Sequence, residues 1–119
     1  MKKSFKALVT IQNNDGTYIN IVKERATNEL PDGDILIQVE YSSLNYKDAL
    51  SASGIKGVTN QYPHTPGIDA AGIVEKSNNG DFAPGTSVIV SGFDLGMNTS
   101  GGFSEYICVP SKWAVRCPN

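Results

Sequence analysis

Within the segment Ser42-Ser43-Leu44-Asn45-Tyr46-Lys47-Asp48, an amide, a phenol, an ammonium and a carboxylate follow one another from Asn45 onward. Asn45 can donate and accept, Tyr46 joins an aromatic body to a hydroxyl, and Lys47 brings a positive charge. Such groups suit the reduction of an activated alkene. Hydride reaches one carbon, negative charge builds on the conjugated carbonyl oxygen, and donors aimed at that oxygen lower the barrier. A proton must then reach the neighbouring carbon, from a side chain or from water. A plainer reading runs beside this one: Asn45 only caps a helix, Tyr46 packs and Lys47 is solvated. For Asn45 the functional reading is preferred; for Tyr46 both stay open. Asp48 and Asp69 read as structural, the first a helix-start carboxylate and the second a hydrogen-bond or ion-pair former at a strand edge.

Other chemistries find little support. A metal centre needs thiolates, imidazoles or carboxylates in a cluster. The chain has one histidine, His64 between Pro63 and Pro66, and two well-separated cysteines, Cys108 and Cys117. His64 reads as a surface or loop-packing residue, and Cys108 as a small hydrophobe in a strand. Neither cysteine sits beside a base that would make it a nucleophile. No glycine-rich turn follows a strand and opens a helix, as a dinucleotide fingerprint would require. No serine stands in a nucleophile elbow.

The elements that must position the polar segment are mostly strands. Phe5 to Ile11 and Thr17 to Lys23 flank the turn Asn13-Asn14-Asp15-Gly16, which predicts a hairpin. From Ile35 to Tyr41, apolar and polar residues alternate as in a half-buried strand. Asn45 then caps a short helix, with Asp48 three residues on as an approximate capping box and Gly54 placed to end it. After a loop from Gly54 to Gly67, strands are expected at 68–76 and 87–90. A second glycine-bearing loop runs from Gly92 to Gly102, with strands expected at 103–109 and 113–115. Many short strands and one small helix predict a mainly β fold, a partly open β-barrel with one or two short helices.

A chain of 119 residues makes one domain, and at this size folding removes roughly two-thirds of the unfolded surface. The formal net charge of -2 and the scattered lysines argue against a nucleic-acid partner. No apolar run is long enough to cross a membrane, and Lys6 and Gln12-Asn13-Asn14-Asp15 cut short any signal-peptide core, so a cytoplasmic location is expected.

Four segments appear in a telling order: Asn45-Tyr46-Lys47-Asp48-Ala49, Pro66-Gly67-Ile68-Asp69-Ala70-Ala71-Gly72-Ile73-Val74, Phe82-Ala83-Pro84-Gly85-Thr86-Ser87-Val88 and Gly101-Gly102-Phe103-Ser104-Glu105-Tyr106. Together they resemble the GroES-like catalytic domain of medium-chain dehydrogenase/reductases. Within that family the chain looks closest to the zinc-free YhdH/YhfP branch of acryloyl-CoA reductases and quinone-oxidoreductase-like proteins. The resemblance covers essentially the whole chain. It implies hydride transfer from NADPH to acryloyl-CoA, a quinone or an enone, and places Asn45 and Tyr46 at the catalytic site. It also implies that Asn45, Tyr46 and Lys47 lie toward the cofactor. NADPH itself would be bound mainly by a Rossmann domain that the 119 residues lack, so the chain is expected to be the N-terminal part of a longer enzyme, inactive alone. A small-molecule substrate and, at full length, a homodimer belong to the same implication. Zinc-binding relatives carry Cys where Asn45 stands and His where Ile68 stands, so no metal is expected. The rival readings are a zinc-type alcohol dehydrogenase domain and a non-enzymatic GroES-like binding module.

Overall fold

The computed structural model describes residues 3–117. Seven strands form a hairpin and a five-stranded sheet. β1 (Ser4–Gln12) and β2 (Tyr18–Ala26) pair antiparallel around the expected turn. β3 (Ile35–Tyr41), β4 (Asp69–Ser77), β5 (Ser87–Ser91), β6 (Tyr106–Val109) and β7 (Ala114–Arg116) assemble in the order β6-β3-β4-β5-β7. Every pairing in this sheet is antiparallel. One α-helix, α1 (Tyr46–Ala52), leaves the end of β3.

Alternation in the sequence becomes two faces in the sheet. Ile35 and Ile37 of β3, Ala70 and Val74 of β4, Val88 and Val90 of β5, and Ile107 and Val109 of β6 all point into one core. Leu95 from the loop after β5 closes it. A second apolar cluster, Phe5, Ala7, Val9 and Tyr106, fastens the hairpin. Period-2 patterning thus builds most of the core directly.

The expected strand over 103–109 divides between two partners. Phe103 carbonyl accepts from Leu8 N–H at 2.8 Å, and Glu105 N–H donates to Lys6 carbonyl at 3.0 Å, so this part follows β1. At Glu105 the chain turns onto β3, where its carbonyl accepts from Val39 N–H at 2.8 Å. Tyr106 to Val109 then pair with β3 alone. This bend is the corner that joins hairpin to sheet and gives the half-open barrel. The last strand also begins a residue later than expected. Asp34 accepts from both the N–H and the hydroxyl of Ser111, and Ser111–Trp113 becomes a 3-10 turn before β7.

Glycine decides how closely the long loops cross. Thr65, Pro66 and Gly67 carbonyls accept from the N–H groups of Gly101, Phe103 and Gly102 at 2.8, 3.0 and 2.9 Å. Gly67 has φ +118, and a Cβ there would lie 2.6 Å from the backbone nitrogens of Gly102 and Phe103. A Cβ on Gly96 would lie 2.3 Å from the Gly67 carbonyl oxygen. The expected loop glycines are therefore the seam where two backbones lie against each other.

Gly67→Ala should destabilise the domain by about 2–5 kcal/mol, from left-handed strain plus overpacking against rigid backbone. Gly80 meets nothing within 4 Å, so Gly80→Ala should stay within about 0.5 kcal/mol of the parent. Urea denaturation of both variants measures the contrast, and equal stabilities would remove the packing argument.

Candidate functional site

The polar segment lies where β3 gives way to α1. Asp48 sits one turn into the helix and is 1% exposed. One carboxylate oxygen accepts from Asn45 N–H at 2.9 Å, closing the helix start. The other accepts from Ile68 N–H at 2.9 Å, twenty residues further along the chain. Asp48 thus binds the helix to the glycine turn that precedes β4. Its structural role is as expected, with a longer reach than a capping box has.

Asn45 starts the helix in extended conformation, but its side chain makes no capping bond. It turns toward Asp69. Its amide nitrogen donates to Asp69 Oδ2 at 3.1 Å and lies 3.3 Å from Ser43 Oγ. Ser43 completes the clamp: its N–H donates to Asp69 Oδ1 at 2.9 Å and its hydroxyl to Oδ2 at 2.7 Å. Partial burial acts upward on the Asp69 carboxyl, yet the bonds from Ser43 and Asn45 outweigh it and hold the pKa below the ordinary aspartate value. The amide hydrogens of Asn45 are therefore engaged within the protein, and the atom left to meet a ligand is its carbonyl oxygen. Asn45 does not offer the oxyanion donor that its residue type suggests.

Tyr46 and Lys47 open the first turn of α1 and face outward. Tyr46 is 79% exposed, and Lys47 is exposed as well. The packed-Tyr46 reading does not hold. The structure brings Asn45, Ser43 and Asp69 into contact and leaves the Tyr46 hydroxyl and the Lys47 ammonium as donors directed at solvent. A shallow depression of about 260 Å³ lies beside the clamp, lined by Ser43, Asp69, Tyr41, Ile89 and Ser91 among others. Its size falls below that of ordinary small-ligand pockets.

Beyond α1 the chain is held firmly. Gly54 (φ +76) ends the helix as expected, with Gly54 N–H donating to Ser51 carbonyl and Ile55 N–H to Leu50 carbonyl, the bond pair of a Schellman motif. Ser51 and Thr59 share a buried hydroxyl contact at 2.6 Å, and Tyr62 donates to Ser51 carbonyl. Pinning both ends gives the helix a fixed direction at the site. His64 is buried, its Nε2 lies 2.8 Å from Gly96 carbonyl, and burial lowers its pKa. It is a loop-packing residue.

Neither Ser43 nor the second bond of Asp48 stands out in the sequence. The available signal was the pair of acidic residues flanked by hydroxyl and amide groups, but which of them meet depends on the crossing of two distant loops. Among the described residues, no group of three or more His, Cys, Asp or Glu could share a metal ion. The amide of Asn45 and the aliphatic Ile68 do not fit a zinc centre.

Residues 31–119 match the alcohol dehydrogenase GroES-like domain. The chain belongs to that family. This GroES-like domain is 42% identical over 118 residues to YhfP of Bacillus subtilis, a protein named for quinone oxidoreduction, covering 99% of this chain and 36% of the relative. The crystal structure of YhfP with NAD bound covers 98% of this chain and 35% of that one, with a TM-score of 0.92 and 40% identity. The acrylyl-CoA reductase AcuI of Ruegeria pomeroyi is 38% identical over 115 residues, covering 96% of this chain and 35% of the relative. The yhdH oxidoreductase of Salmonella enterica in complex with NADP has a TM-score of 0.90 and 36% identity over 99% of this chain and 35% of that one. The expected branch and the mainly β GroES-like fold are those found. The domain spans about a third of the length of these relatives.

Asp48→Ala should cost about 2–4 kcal/mol, since two N–H groups lose a buried acceptor. Asp48→Asn should also destabilise, because it sets a donor against an N–H. Tyr46→Ala should stay within about 0.5 kcal/mol. Thermal and urea unfolding separate the three. The Asp69 clamp predicts an acid limb. Its folded pKa lies below the unfolded value of about 3.9, so its stabilisation is full above that value and is lost as pH falls through the folded pKa. Asp69→Asn should shrink the acid limb of a stability-versus-pH curve, leaving the share that Asp34 and Glu75 contribute.

Proposed function

We propose that this domain is the substrate-side half of an NADPH-dependent reductase that adds hydride to an activated double bond in acryloyl-CoA, a quinone or an enone. The observation that carries the reading is the rigid clamp of Ser43, Asn45 and Asp69 beside the outward-facing Tyr46 and Lys47. It sits in a domain similar throughout to proteins solved with NADP or NAD bound. The chain's residues suit the nicotinamide end of such a cofactor. Among the described elements the only α-helix is opened by Asn45, not by a glycine turn that could cradle a pyrophosphate. A cofactor-binding domain elsewhere in the full protein would supply that cradle, in keeping with the greater length of the relatives.

When bound, the nicotinamide supplies the hydride. Asn45 offers its carbonyl oxygen as a fixed acceptor that orients whatever donor group enters. The Tyr46 hydroxyl and the Lys47 ammonium, on exposed residues beside the clamp, donate to a carbonyl oxygen as charge builds there. The proton for the neighbouring carbon comes from the Tyr46 hydroxyl or from water admitted beside it. Asp69 and Ser43 act through Asn45 by holding its amide, and so position it. The reaction proceeds without zinc, in the cytoplasm; among the described residues no helix is long and apolar enough to cross a membrane.

Asn45→Ala in the full-length protein should lower kcat about tenfold or more, a loss of roughly 1.4 kcal/mol in the transition state, while changing unfolding free energy by less. A parallel loss of folding and turnover would make Asn45 structural only. Calorimetric titration with NADPH should show binding to the full-length protein and none at micromolar concentration to the 119-residue domain. Elemental analysis of protein purified without chelator should find well under one zinc per chain. Stoichiometric zinc, removed together with activity, would favour the alcohol-dehydrogenase reading.

A further inference from the structure

One residue at the site end of the sheet stands in a backbone conformation that its side chain disfavours. Phe93 has φ +56, the only non-glycine residue with positive φ among those described. The residue is 62% exposed. A left-handed phenylalanine with its ring in solvent gains little from burial, and such strain concentrates where a ligand or partner is met. The ring nevertheless has a partner. It lies flat on Trp113, centroids 5.5 Å apart and planes 6° from parallel. Gly92 N–H donates to Ile68 carbonyl on one side of Phe93, and the fully buried Leu95 anchors the other.

Topology puts this pair beside the clamp. Asp69 opens β4 and faces Ser91, which closes β5; Val90 faces Ala114, which opens β7 directly after Trp113. All these strand ends lie at one edge of the sheet. At 4.7–4.9 Å per strand, β7 stands roughly 10 Å from β4. Ser91, which lines the depression beside the clamp together with Ser43 and Asp69, precedes Phe93 by two residues in the chain.

We propose that the Phe93–Trp113 stack is a platform for a planar conjugated acceptor, and that Phe93 selects quinone-type rings over thin acyl chains. This rests on the reductase reading. An exposed aromatic face stacked on Trp113 at the same end of the sheet as the polar clamp offers stacking area to a ring. A three-carbon acryloyl group has no ring to place there. Fixing the ring by strain and by stacking on Trp113 removes the ordering cost when the ligand arrives.

Two variants test it in the full-length protein. Phe93→Gly deletes the ring and relieves the positive φ, so the fold should be retained. Phe93→Leu keeps apolar bulk and loses the aromatic face. Steady-state kinetics with NADPH should show KM for 1,4-benzoquinone raised about fivefold or more in both variants. KM for acrylyl-CoA should change less than about twofold in the same assays. Phe93→Tyr, which keeps the stack, should restore the parent KM for the quinone. Equal changes for both acceptors, no change for either, or a parent enzyme that reduces acrylyl-CoA but no quinone would overturn the platform while leaving the reductase reading intact. A full-length parent that reduces neither acceptor would overturn both.

Discussion

One buried carboxylate sets the geometry on which the site depends. Asp48 joins the first turn of α1 to the backbone of Ile68, two segments that nothing in the local sequence brings together. Without it the helix would be a seven-residue fragment, too short to persist in water by itself. With it, the end of β3 and the start of β4 become a single rigid support. Asp69 follows Ile68 immediately, so fixing the Ile68 N–H also fixes the carboxylate that orients Asn45. The polar cluster is built outward from that point.

The glycine seam works in the same direction. Gly67 carries the chain into β4 while lying directly against Gly102, and Gly96 lies against Gly67. Close backbone approach lets Thr65 to Gly67 make strand-like bonds to Gly101 to Phe103 outside any named strand. The two long loops of the domain thus behave as part of the framework. Residues carried on them, His64 and Leu95 within and Phe93 without, keep definite places.

The fold was readable in the sequence wherever local chemistry decides structure. Alternation from Ile35 to Tyr41, the turn at Asn13 to Gly16, and Gly54 behind the helix each specify their element through a short-range rule. The misplaced boundaries, at Phe103 and Trp113, arise where a distant partner decides: Lys6 and Leu8 take the first segment, and Asp34 takes Ser111. The site divides in the same way. Asn45 and Tyr46 stand out by residue type, but the direction of the Asn45 amide depends on Asp69 and Ser43. Residue type alone suggests a free donor there, and the assembled clamp leaves a free acceptor. Phe93 could not be singled out from sequence, because its exposure and backbone angle are consequences of how β5 ends.

The corner at Glu105 has a bearing on how the molecule comes into being. β1 takes Phe103 and Glu105 as its neighbours, with Glu105 N–H bonded to Lys6 carbonyl. At ordinary rates of translation, roughly 5–20 residues per second, those partners emerge about 5–20 s after β1 does. Through that interval the hairpin has one edge unsatisfied, and Phe5, Ala7 and Val9 have no sheet to cover them. Closure of the barrel therefore waits for partners far along the chain, and until they emerge the hairpin keeps an open edge along Lys6 and Leu8.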